Sequence, residues 1–94
     1  MNIEKRIVNE IISLAQKTNI QKIILFGSRA RGDNKERSDI DLAVSGGDIA
    51  YFSTEIDEYV DTLLMFDVVN LDGVVQPELL ESIKKEGVML YEKV

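Results

Sequence analysis

The stretch Gly27-Ser28-Arg29-Ala30-Arg31-Gly32-Asp33-Asn34-Lys35-Glu36-Arg37-Ser38-Asp39-Ile40-Asp41-Leu42 lies between two apolar runs, Ile23-Ile24-Leu25-Phe26 and Leu42-Ala43-Val44. It therefore reads as the end of one strand, a Gly-Ser turn, a spacer of ten residues, and Asp-x-Asp opening the next strand. Residues two apart on a strand face the same side, so Asp39 and Asp41 can converge on one point. Glycine lets a phosphate approach the backbone closely, and a Gly-Ser turn can offer it N–H groups. Paired carboxylates beside a phosphate cradle are what magnesium-dependent phosphoryl chemistry requires.

Outward from this stretch, the pattern predicts an α/β fold. Ile3, Ile7, Ile11 and Ala15, joined by Val8, Ile12 and Leu14, give an amphipathic helix over residues 2–17 that ends near Thr18-Asn19. Residues 21–26 form a strand apolar enough to be buried on both faces. Ser28 can cap a short helix over 29–32, and 39–44 is the second strand. Asp48 suits the N-cap of a helix over 49–64, with Phe52, Ile56, Tyr59, Val60 and Leu63 inward. Residues 66–71 form a third strand. Pro77 opens a helix to about Glu86 with Gly87 as its C-cap, and 88–91 is the last strand. The order α-β-α-β-α-β-α-β describes a small mixed sheet with helices packed against it, in a single domain over residues 1–94.

Composition narrows the chemistry. The chain has 94 residues, which leaves no room for a separate substrate domain, and contains neither Cys nor His. Thiolate zinc sites and disulfides are excluded, a cytoplasmic location fits, and any metal site must be oxygen-rich. No apolar run is long enough to span a bilayer and no leader resembles a signal peptide. The net charge of −6 is asymmetric: residues 38–94 hold three basic and thirteen acidic groups, and no Lys or Arg lies between Arg37 and Lys84. A protein gripping a long nucleic acid needs Lys and Arg along its whole footprint. Here positive charge gathers around the Gly-Ser turn, which is enough for one nucleotide.

Arg29 and Arg31 flank that turn, and guanidinium pairs phosphate bidentately, so both are candidate triphosphate contacts. Lys35 and Arg37, on the spacer, divide evenly between solvation and phosphate contact. For a third carboxylate, Asp67 is preferred to Asp72. Asp67 interrupts the apolar strand Phe66-Asp67-Val68-Val69, where an unpartnered polar group is costly, whereas the Gly73 turn accounts for Asp72. Glu55, Asp57, Glu58 and Asp61 make an acidic helix face, which is most simply solvated but would suit a basic partner. Tyr51, Phe52 and Tyr59 read as core or rim residues rather than a base-stacking platform.

Gly27-Ser28, ten residues, Asp39-Ile40-Asp41, and Asp67 on a later strand resemble the nucleotidyltransferase domain of the DNA polymerase beta superfamily. The form Phe26-Gly27-Ser28-Arg29-Ala30-Arg31-Gly32 and the tail Glu86-Gly87-Val88-Met89-Leu90-Tyr91 are similar to its minimal branch, the MNT proteins. The resemblance implies an antitoxin that transfers AMP from ATP to a tyrosine of a HEPN-domain RNase toxin, with which it forms a hetero-oligomer. By position, Gly27 and Ser28 would hold the triphosphate and Asp39 and Asp41 would ligate magnesium, and two such ions can bridge carboxylates and a triphosphate. Asp67 would complete the metal site and help deprotonate the attacking hydroxyl. Two rival readings are nucleotidyl transfer to a small molecule such as an aminoglycoside, and toxin neutralisation by contact alone.

Overall fold

Ile7, Ile11, Leu14 and Ala15 form the buried stripe of helix α1 (Lys5–Lys17) in the computed structural model, which describes residues Met1–Val94. The helix stops as the sequence suggests. The Thr18 hydroxyl donates to the Leu14 carbonyl (2.8 Å), and Asn19 turns into the left-handed region at φ 59°. It starts at Lys5 rather than at residue 2 because the Asn2 backbone is held elsewhere. The Asn2 N–H donates to the Arg29 carbonyl (2.8 Å), and the Asn2 carbonyl accepts from Arg29 Nη1 (3.2 Å).

The remaining elements follow the expected order: β1 (Lys22–Phe26), α2 (Ser28–Arg31), β2 (Ile40–Ser45), α3 (Ile49–Tyr59), β3 (Phe66–Asn70), α4 (Pro77–Glu86) and β4 (Val88–Glu92). The strands make one sheet in the order β3-β2-β1-β4. β1 is antiparallel to both β2 and β4, while β2 and β3 run parallel with α3 as the crossover between them. Strand alternation sorts the side chains into two layers. Ile23, Leu25, Ile40, Leu42 and Val44 join α1 and α3 in the main core, which also holds Phe52 and Ile56. Phe26 and Ala43 face the other way and pack with Ile83 of α4. Burial of each large aliphatic side chain in the main core contributes about 1.5–3 kcal/mol. No helix is long and apolar enough to cross a membrane.

Two local expectations are corrected. α3 was expected to reach residue 64 with Leu63 inward, yet Val60 is already extended (φ −88°, ψ 123°) and Leu63 is fully exposed. Carboxylates replace the helical ladder there: Glu10 Oε1 accepts from the Asp61 N–H (3.0 Å) and Asp57 Oδ1 from the Phe66 N–H (3.3 Å). These bonds turn the chain toward β3. Gly87 does end α4, but with an ordinary backbone (φ −68°, ψ 147°) rather than a left-handed one. Glycine is needed for space, because a Cβ would run into the Ile83 carbonyl and the Ile24 side chain.

Candidate active site

Three strand ends meet at one edge of the sheet. In the β1–β2 register Phe26 stands opposite Asp41, and in the β2–β3 register Asp41 stands opposite Asp67. Alternation puts Asp41 and Asp67 on the α4 face, and Asp39, directly before β2, lies near enough for its charge to act on Asp41. Gly27 follows Phe26 directly, at φ +75°, and a Cβ on it would overlap Asp41 Oδ2. Both constraints demand glycine, so the turn backbone lies against the central carboxylate.

The turn leads into α2. The N–H groups of Ala30 and Arg31 both donate to the Gly27 carbonyl at 3.1 Å, whereas those of Ser28 and Arg29 have no backbone acceptor. Ser28 is the first residue of this helix and not its cap, a position that Gly27 takes. The first turn thus presents free donors beside Asp41, a geometry suited to an anion.

Asp41 is half-buried, whereas Asp39 and Asp67 are exposed. Burial pushes the Asp41 carboxyl above the ordinary carboxylate value. The charges of Asp67 and then Asp39 add to this rise, and Arg31 opposes it. The three carboxylates thus act on one another, but they are not drawn into a closed cage of three that could hold an ion alone. Their chemistry still fits magnesium. All donors are oxygens, and this ion takes its remaining ligands from substrate phosphates and water rather than from an all-protein cage. The exposure of Asp67 corrects the reason for selecting it. It lies on an edge strand, so its polarity carries no burial cost, and its place opposite Asp41 is what singles it out.

Arg29 does something other than expected. It is buried, and its guanidinium donates to three backbone carbonyls: Nε to Ser38 (3.0 Å), Nη1 to Asn2 (3.2 Å) and Nη2 to Glu36 (3.1 Å). It clamps the spacer loop to the N-terminal segment and has no free edge for a phosphate. Arg31 remains at the surface, where it pairs with Asp33 (3.1 Å) and Glu86 (2.9 Å), and its charge is felt at Asp41. Glu86, which counts in the sequence only as part of the tail, is brought to the site through Arg31, 55 residues away along the chain. Asp72 is accounted for structurally, its Oδ2 accepting from the Gly46 N–H (2.8 Å).

The carboxylates stand on open surface. The concave regions of the molecule lie along α1 beside Tyr59, between Arg37 and Met65, and on α4. Tyr59 packs on the main-core side, the opposite face of the sheet, with its hydroxyl 2.7 Å from Ser13 Oγ, which removes it from the site.

Comparison with known proteins gives the chain its relatives. The family model described as "Polymerase beta, Nucleotidyltransferase" matches residues 9–94. A protein of Methanocaldococcus jannaschii named "putative protein adenylyltransferase" is 39% identical, over 97% of this chain and 100% of its own length. A crystal structure of a toxin–antitoxin with AMP-PNP superposes with a TM-score of 0.74 at 29% identity, covering 92% of this chain and 73% of that one. A structure described as a "putative minimal nucleotidyltransferase" gives a TM-score of 0.65 at 26% identity, covering 86% of each chain. With a family model spanning nearly all of it, and MNT-type neighbours in three dimensions, this chain belongs to the polymerase beta family of nucleotidyltransferases.

Proposed function

We propose that this nucleotidyltransferase transfers AMP from ATP to a tyrosine hydroxyl of a HEPN-domain RNase toxin and so acts as its antitoxin. The observation that carries the reading is the register: Asp67 opposite Asp41, with the Gly27 backbone packed on the Asp41 carboxylate. Carboxylates and anion-binding backbone are thereby fixed in one rigid unit of sheet. The adenylyltransferase name of the methanogen relative and the toxin–antitoxin neighbour with AMP-PNP support the acceptor class and the nucleotide.

In this reading the triphosphate lies along Gly27 and Ser28, held by the free N–H groups of the first turn of α2 and by the Ser28 hydroxyl. Arg31 stands by to pair with a phosphate, exchanging one of its two carboxylate partners for it. Asp39, Asp41 and Asp67 would hold magnesium. Bound there, it would neutralise the phosphate charge and favour departure of the leaving group. Asp67, the outermost carboxylate, takes the proton of the tyrosine hydroxyl as that oxygen attacks the α-phosphorus. A phosphorus–oxygen bond to AMP forms and the bond to pyrophosphate breaks.

The test combines the purified chain, ATP, magnesium and the protein encoded by the neighbouring reading frame. Peptide mass spectrometry is expected to find AMP on a tyrosine of that protein, together with loss of its RNase activity. Silencing of the RNase without any added mass would replace transfer by neutralisation through contact. AMP on an aminoglycoside, with the protein unmodified, would move the acceptor to the small-molecule class.

A further inference from the structure

We propose that Leu63 and Met65 form the docking surface for the acceptor, and that they fit a protein presenting an apolar anchor within a Lys/Arg-rich rim. The inference rests on the transfer reading and adds the side from which the acceptor arrives. Leu63 is fully exposed and Met65 is 59% exposed, and with Leu64, Glu36 and Arg37 they line one hollow. A single exposed leucine is ordinary. The position of this pair is what sets it apart.

The Met65 carbonyl accepts from the Ile40 N–H at 2.9 Å, one step before the pairing of Ile40 with Phe66. That bond ties the residue directly before β3 to the first residue of β2, so Met65 sits at the mouth of the strand pair that carries Asp41 and Asp67. Met65 lies two residues before Asp67 in the chain, directly ahead of the strand that carries it. The site is ordered across the strands: the Gly27-Ser28 turn at the end of β1, Asp41 on β2, Asp67 on β3, and then the open sheet edge. A nucleotide held at the β1 side leaves the β3 edge as the approach for an attacking hydroxyl. Leu63 and Met65 border that approach because α3 stops at Tyr59 and releases Leu63 from the core.

The charge around the patch selects the partner. Asp57, Glu58 and Asp61 are exposed on the segment leading to it, and Arg37 is the one cation in the hollow. No Lys or Arg occurs from there to Lys84. An apolar centre beside a rim where Glu36, Asp57, Glu58 and Asp61 outnumber the single Arg37 favours a basic protein surface with apolar side chains at its middle.

The experiment compares wild type with the Leu63→Ser/Met65→Ser double variant, and measures affinity for the neighbouring reading frame's protein and for magnesium-ATP. Both side chains are exposed, so the variant should fold, as a circular dichroism melt will verify. The expected result is association weakened about tenfold or more, with ATP affinity within about twofold of wild type. Unchanged association would overturn the proposal. So would a parallel loss of ATP affinity, which would give the patch to the nucleobase, or a wild-type dimer in sedimentation that the variant dissociates. If association depends on the pair but no AMP is transferred, the docking surface stands and the transfer reading fails. If AMP is transferred with association insensitive to the pair, the reverse holds.

Discussion

Arg29 and Arg31 lie two positions apart in the same charged turn, yet the fold gives them unrelated tasks. Spacing alone does not distinguish a guanidinium aimed at solvent from one turned back onto carbonyls. What decides is whether the loop from residue 32 to 38 closes over the side chain, which no local pattern encodes. The arrangement makes a measurable claim. Arg29→Ala strands three carbonyls and should cost about 2–4 kcal/mol of stability, read as a lower urea midpoint. A pure phosphate contact at that position would leave the midpoint unchanged.

Asp41 carries the clearest electrostatic signature. Its carboxyl is raised by burial first and then by Asp67 and Asp39, so the folded state keeps this proton at pH values where the unfolded chain has released it. Between the ordinary carboxylate value and the raised one, stability therefore declines as pH rises. Above that window the charged Asp41 remains a liability to the metal-free protein. Asp41→Asn should accordingly raise the melting temperature at neutral pH without magnesium, while abolishing transfer. Asp67→Asn should lower the pH at which Asp41 titrates, followed by its carboxyl ¹³C shift. An unmoved midpoint would mean that the two carboxylates do not share a site.

At the scale of elements, the sequence was a good guide wherever apolar periodicity dominates. α1, β1 and β2 fall within a few residues of expectation because apolar positions dominate them, and α4 does so because Pro77 and Gly87 mark its ends. The end of α3 was not legible. Leu63 continues the helical pattern of Phe52, Ile56 and Val60, and the bonds that break the helix come from Glu10, on another element, and from Asp57. The pairing of Asp41 with Asp67 was equally hidden, since register is a property of two strands and not of either alone. Gly87 illustrates a glycine chosen for room. Its φ of −68° suits any residue, so replacing it with Ala would ordinarily stabilise by about 0.4–1 kcal/mol through the unfolded chain. Because the new Cβ meets the Ile83 carbonyl, Gly87→Ala should instead destabilise by about 1–3 kcal/mol in urea titration.

The whole molecule divides its surface by task. One face of the sheet carries the main core under α1 and α3, and the other carries α4 and the carboxylates. Basic groups cluster before residue 38 and acidic groups after it, so under the proposed transfer an anionic nucleotide and a basic acceptor would be drawn to different parts of the surface. The central claim is that the three carboxylates move a nucleotidyl group onto another molecule. It is tested most directly with ATP radiolabelled at either the α- or the γ-phosphate, incubated with magnesium and the neighbouring reading frame's protein. We predict label on that protein from the α-phosphate only, with pyrophosphate released, and none with Asp41→Asn. Labelling from the γ-phosphate, or α-labelling that survives Asp41→Asn, would contradict the account.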